Sequence, residues 1–102
     1  MAKGNFSPIA GALVTHAVTD AATSLTRPDA ANYAEGFVRT NPVVESRDGT
    51  APTTTKGKQW SAGDIIILRS ADEITNFQVI RENASNAATI DFEFWNKAPG
   101  MN

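Results

Sequence analysis

The clearest pattern in the chain is a strict alternation of apolar and polar residues near its C-terminal end. Every second residue from Ala88 to Phe94 is apolar, and the residues between them are polar. Because successive side chains of a strand point to opposite faces, this period of two predicts a strand with one buried face and one wet face. Trp95 then falls on the polar face of that strand.

Shorter apolar runs upstream of this strand predict further strands. They cover residues 13–18, 33–40, 42–46, 59–60, 65–69 and 76–81. The run at 65–69 is apolar on both faces, which favours a central strand. The segment before Gly36 is ambiguous, since Asp29 could cap a single helical turn that ends at this glycine. Tyr33 and Phe37 favour a strand there instead, and we prefer that interpretation.

Turn-forming residues separate these runs, and the strongest turn signature is Asp48-Gly49-Thr50-Ala51-Pro52-Thr53. Asp48 can hydrogen-bond to its own backbone, Gly49 tolerates a positive φ, and Pro52 fixes its own φ. We interpret this segment as a structural turn without chemistry. Further turns are predicted at 61–64, 70–73 and 82–86.

These elements together predict an all-β fold, a small antiparallel β-sandwich of about seven strands with extended N- and C-terminal arms. The predicted boundaries are an arm over residues 1–12, the sandwich over 13–95 and a tail over 96–102. A chain of 102 residues corresponds to one domain with a modest core. The chain has no cysteine, so its stability must come from that core, from assembly, or from both.

Composition removes several classes of function. The net charge is −2, and the basic residues are scattered rather than clustered, so we expect no nucleic-acid partner. No apolar run approaches the roughly 18 residues of a membrane span. Gly4 and Pro8 interrupt any apolar stretch after Met1, so we expect no signal peptide and synthesis in the cytoplasm.

The residues offer no catalytic constellation. His16 is the single histidine, and a metal site usually needs several ligands. Asp91 and Glu93 share a strand face, where we interpret them as solvated carboxylates. No G-x-S-x-G elbow and no glycine-rich phosphate loop is present. We therefore expect no catalytic residues, no metal, no cofactor and no enzymatic activity.

Two tryptophans are candidates for packing or contact, because this residue is common both in cores and in interface hot spots. We expect Trp60 in the core and Trp95, on the polar face of its strand, at an interface. The two terminal segments add apolar residues that have no core face of their own. The predicted partner contacts are Phe6, Pro8, Ile9, Trp95, Pro99 and Met101.

The order of several short motifs carries a resemblance over roughly residues 13–95. The motifs are Leu25-Thr26-x-Pro28, Ala31-x-Tyr33-Ala34, Asp48 to Thr53, Gly57, Ala62-Gly63-Asp64, Ile74-x-x-Phe77-x-x-Ile80 and Ala88-Thr89-Ile90-x-Phe92-x-Phe94. In this order the chain resembles small β-sandwich proteins encoded among the virion genes of tailed bacteriophages. It departs from them at Phe94-Trp95, where tyrosine is expected more often.

The resemblance implies a structural protein of the virion that binds the outside of the capsid and bridges major capsid subunits. It implies no catalytic residue. Because homo-oligomers of closed symmetry are common, we also expect a homo-oligomer, with a trimer favoured since it would suit a three-fold lattice point. Two alternatives stay open. One is a tail adaptor or host-binding tip, and the other is a glycan-binding accessory sandwich, which the Asp48–Thr53 turn also resembles.

Overall fold

The computed structural model describes residues 6–9, with the backbone alone for 6–8, together with residues 13–83 and 86–97. This part of the chain forms nine strands and one short helix. In chain order they are β1 (Phe6–Pro8), β2 (Val14–Val18), β3 (Thr23–Ser24), β4 (Tyr33–Val38), β5 (Val43–Ser46), β6 (Lys58–Trp60), β7 (Ile65–Leu68), α1 (Ala71–Asn76), β8 (Gln78–Arg81) and β9 (Ala88–Lys97).

The strands form two antiparallel sheets. In the first sheet, β1 and β2 lie end to end along one side of β9, and β4 and then β7 follow on the other side. The second sheet has the order β3-β8-β5-β6. With β1 and β2 counted as one position, the orders β2-β9-β4-β7 and β3-β8-β5-β6 are those of an eight-stranded jelly roll. The expected all-β sandwich is confirmed, and the added strands β1 and β3 are too short to leave a periodic pattern.

The alternation in β9 builds the centre of the core. Ala88, Ile90, Phe92 and Phe94 are all buried and face the second sheet. The Phe92 ring meets the Phe77 ring edge-on, with 5.6 Å between their centroids. Burying such side chains stabilises the fold by roughly 1.5–3 kcal/mol each. The strand extends to Lys97, beyond the predicted end, because β1 pairs with its last three residues.

Gly36 is required by the close approach of β4 to β9. It lies opposite Phe92 in register. A Cβ at this position would stand 2.4 Å from Cε1 of Phe92 and 2.9 Å from Cγ2 of Ile90. Only glycine leaves room for the Phe92 ring at this position, which explains why a glycine lies inside the strand. The alternative helical turn is absent.

Two predictions for residues 65–76 were wrong. The run 65–69 forms β7, which is an edge strand and not a central one, and Ile65 is 54% exposed. Residues 71–76 form α1 where a turn was predicted. The helix begins because Ser70 Oγ accepts a hydrogen bond from the Glu73 N–H at 3.1 Å, which is an N-cap.

The first sheet extends into the segments predicted as the arm and the tail. Residues 6–8 form β1 inside the first sheet, and the Ile9 N–H donates to the Phe94 carbonyl at 3.2 Å. Residues 96 and 97 belong to β9. Both segments pair through the backbone, which needs no apolar pattern and so leaves no periodic signal in the sequence. The remainder of the predicted arm and tail, residues 1–5, 10–12 and 98–102, lies outside the described residues.

Candidate partner-binding surface

The outer face of the first sheet carries two exposed apolar side chains on neighbouring strands. Phe37 on β4 lies directly opposite Ile65 on β7, and they are 41% and 54% exposed. Ile67, two residues along β7, shares this face and is half-buried. We call Phe37, Ile65 and Ile67 the outer patch. This patch is the reason that the run 65–69 is apolar on both faces without being central.

A fixed polar pair borders the outer patch. Asp91 lies opposite Phe37 on the other side of β4. Its Oδ1 accepts from Thr15 Oγ1 at 2.8 Å, and its Oδ2 accepts from Arg39 Nη1 at 3.0 Å. The Arg39 side chain is 55% exposed, so this ion pair contributes only about 0–1 kcal/mol to stability. The main effect of this ion pair is to fix the positions of its two charged side chains beside the outer patch.

Two carboxylates face each other on the next row of the same face. Glu35 on β4 is the register partner of Glu93 on β9. Like charges in directly opposite positions destabilise a sheet. The Tyr33 hydroxyl donates to Glu35 Oε2 at 3.0 Å. Burial and this neighbouring carboxylate raise the pKa of Tyr33, so the phenol stays protonated and remains a donor.

Trp95 continues this outer face beyond Tyr33, its register partner. The side chain is half-buried, and its Nε1 is buried without a hydrogen-bond partner among the described residues. A buried donor left unpaired costs about 1–3 kcal/mol. The predicted contact residue therefore lies on the same face as the outer patch, beside the position of Pro8 in β1.

Among the other predicted contacts, Ile9 is the one whose side chain the structure describes. Ile9 is half-buried and packs against the core cluster, so the structure uses its side chain internally. Phe6 and Pro8 lie in β1, where their backbone pairs with Lys97 and Trp95. Pro99 and Met101 lie outside the described residues.

The Asp48–Thr53 segment forms a folded loop between β5 and β6. Asp48 Oδ1 accepts from the Thr50 N–H at 2.9 Å, and this backbone donor lowers the pKa of the Asp48 carboxyl. Gly49 has a φ of 88°, and Pro52 is buried. The groove under this loop holds about 150 Å³, which is well below the roughly 300 Å³ of the smallest usual ligand pockets.

Sequence reasoning missed a polar cluster that joins the two sheets around one buried carboxylate. Glu45 is only 2% exposed, and its Oε1 lies 2.9 Å from Arg47 Nη2. The same oxygen accepts from Trp60 Nε1 at 3.1 Å. Arg47 Nη1 donates to the Ile67 carbonyl at 2.8 Å and to Glu73 Oε1 at 3.2 Å. We call Glu45, Arg47, Trp60 and Glu73 the clasp, since it connects β5, β6, β7 and α1.

The clasp also caps the outer edge of β7. That strand pairs only with β4, so its other side is an edge. Arg47 occupies the Ile67 carbonyl there, and Glu73 Oε1 accepts from the Arg69 N–H at 2.8 Å. Side chains that occupy edge groups prevent another strand from pairing. The core position predicted for Trp60 agrees with its packing against the core, and its indole N–H bonds to Glu45 within the clasp.

Comparison with known protein families, curated proteins and solved structures finds no match to this chain. The surface must therefore be interpreted from its own chemistry. Among the described residues, no three histidine or acidic side chains come together in an arrangement that could hold a metal ion. The same part of the chain contains no helix with the length and hydrophobicity of a membrane span.

Proposed function

We propose that this protein is a non-enzymatic structural protein of a phage virion, which binds the capsid exterior through the outer patch and bridges major capsid subunits. The observation that carries the proposal is the exposed pair Phe37 and Ile65 on the outside of a complete jelly roll. The resemblance in motif order supplies the class of partner. Jelly rolls occur in capsid proteins and in lectins, so the fold alone does not choose between them.

The surface has the composition of a protein interface. Its centre is apolar and its border is polar, with Arg39 and Asp91 already paired and Glu35 beside Tyr33. An apolar patch against a capsid subunit would gain most from the Phe37 ring, since aromatic residues dominate interface energies. The partner is therefore expected to present an apolar depression with polar groups around it.

The test uses phage heads assembled without this protein and the purified chain. Cosedimentation should give saturable binding with a fixed number of copies per capsid subunit. The variant Phe37→Ser/Ile65→Ser should weaken binding by roughly tenfold or more. The control variant Leu13→Ser removes a side chain that is 69% exposed but lies outside the patch, and it should leave binding unchanged.

Two results would reject the proposal. One is the absence of saturable binding to heads by a correctly folded chain. The other is binding that the Phe37→Ser/Ile65→Ser variant leaves intact. Binding to tail fractions or to host glycans instead would support the adaptor or glycan-binding function.

A further inference from the structure

The four edges of the two sheets differ in how well they are protected from pairing with another strand. The edge at β7 is capped by Arg47 and Glu73. In the second sheet, β3 has two residues, and β6 has three, including the exposed Lys58. Short strands and lysine both discourage edge pairing. The remaining edge is formed by β1 and β2.

Within that edge, β1 and β2 again differ. Pro8 in β1 cannot donate a backbone hydrogen bond, so β1 is a poor template for another strand. The five residues of β2, from Val14 to Val18, contain no proline, no glycine and no charged side chain at neutral pH. Among the described residues, no hydrogen bond from outside the sheet ends on the backbone of β2. Within the part of the chain that the structure describes, β2 is therefore the edge strand that is long enough, uncharged and uncapped.

We propose that β2 pairs antiparallel with β2 of a second copy of this chain, which joins the two first sheets into one continuous sheet. This inference concerns self-association and stands apart from the proposed capsid role. The occupant follows from the sequence of the strand, Val-Thr-His-Ala-Val, which is nearly the same in both directions. Antiparallel pairing about a two-fold axis places the same strand on both sides of the contact.

One pairing register places inner-face residues opposite inner-face residues and also pairs all five residues of β2. The inner face of β2 carries Val14, His16 and Val18, since these residues lie opposite buried positions of β9. Residues that pair across a two-fold axis perpendicular to the sheet must share a face. Pairing His16 with His16 of the other copy does so and uses all five residues. Val14 then lies opposite Val18, and Thr15 lies opposite Ala17.

This register also covers an apolar side chain that the single chain leaves open. Val14 is 41% exposed, whereas Val18 at the other end of the strand is 3% exposed. In the pair, each Val14 gains a valine neighbour, and such β-branched pairs stabilise sheets. The outer side of the contact carries only the short side chains of Thr15 and Ala17, which leave room for the second strand. A trimer would need two different edges to pair, and the other edges are short or protected.

The first test measures the mass of the full chain in solution by light scattering and sedimentation velocity, in the absence of any capsid. We expect a dimer. Ala17→Lys places a charge at the contact and should weaken dimerisation by roughly tenfold or more. Ile65→Lys places the same charge beside the capped edge, and this control should leave the dimer intact. A monomer, a trimer, or a dimer broken by Ile65→Lys alone would overturn the inference.

The second test fixes the register and does not depend on the folding of Ala17→Lys. The chain has no cysteine, so introduced thiols are the only ones. Thr15→Cys and Ala17→Cys are purified separately and then mixed under mild oxidation. Opposite positions of an antiparallel pair lie about 4.5–5.5 Å apart, within disulfide range. A covalent dimer should form in the mixture far faster than in either variant alone, and equal rates in all three samples would reject the register.

Discussion

The two open sides of the sandwich are closed by different chemistry. On the side of β6 and β7, the clasp joins the sheets with a buried carboxylate, a guanidinium group and an indole N–H. On the side of β2 and β3, a side-chain hydrogen bond between the sheets joins His16 Nε2 to Thr23 Oγ1 at 2.9 Å. Charged groups join the sheets on the first side and also cap the edge of β7. The bond on the second side involves no carboxylate or guanidinium group, and the edge of β2 is open to another strand. We therefore expect the side of β6 and β7 to contribute more to stability and the side of β2 to mediate association.

The largest effect should come from breaking the clasp. Arg47→Ala leaves the buried Glu45 carboxylate without its charged partner, which should lower the free energy of unfolding by about 3–5 kcal/mol. Urea denaturation followed by circular dichroism measures this change. The control Arg39→Ala removes an exposed ion pair with Asp91 and should cost about 0–1 kcal/mol. Equal losses for the two arginine variants would show that burial does not distinguish them.

A smaller effect separates the two tryptophans. Trp60→Phe removes the donor that bonds to Glu45 while the Arg47 pair remains, so we expect a loss of about 1–2 kcal/mol. Trp95→Phe removes an indole N–H that has no partner among the described residues, so it should be neutral or stabilising. Thermal unfolding of both variants measures the difference. The reverse order of stability would contradict this assignment of the two indoles.

The sequence predicts the sheets better than it predicts the clasp. Alternation from Ala88 to Phe94 identifies β9 because every second side chain enters one core. The clasp has no such period, since Glu45, Trp60 and Glu73 meet only after two sheets and a helix have packed. One local signal was available for α1. Ser70 followed three residues later by Glu73 is the sequence of a capping box, and it marks the start of a helix.

The edge position of β7 shows why an apolar run can mislead. Isoleucine on both faces of the strand predicts burial on both sides only if every apolar face is covered by the same chain. Here Ile66 and Leu68 enter the core, whereas Ile65 stays exposed beside Phe37. The pattern does indicate that β7 has two apolar faces. It does not indicate what packs against the second face. That error is what identifies the outer patch.

The opposite side of the sandwich should tolerate loss of its bond. Thr23→Val keeps the shape of the side chain and removes the hydroxyl that bonds to His16, so we expect a loss of about 0.5–1.5 kcal/mol. Urea denaturation under the same conditions as for Arg47→Ala places both sides on one scale. A loss as large as that of Arg47→Ala would mean that the two sides contribute equally.

The smallest effect should appear as a pH dependence on the side of β2. Burial lowers the pKa of His16 from 6.5, so the folded chain favours the neutral imidazole. Below pH 6.5 the unfolded chain binds this proton more readily than the folded chain does, and the free energy of unfolding therefore falls as the pH decreases. The fall ends below the lowered folded-state pKa, where both states are protonated. The Asp48 carboxyl, with its pKa below 3.8, titrates outside this window.

Denaturation at about pH 8 and about pH 5 measures this term when the chain is compared with His16→Gln, which removes the imidazole and leaves every other ionisable side chain in place. The original chain should lose more stability between the two pH values than the variant does. Equal losses would mean that the imidazole is protonated equally readily in both states. His16 would then contribute no pH-dependent term to the free energy of unfolding, and the two sides would differ only in the losses caused by Arg47→Ala and Thr23→Val.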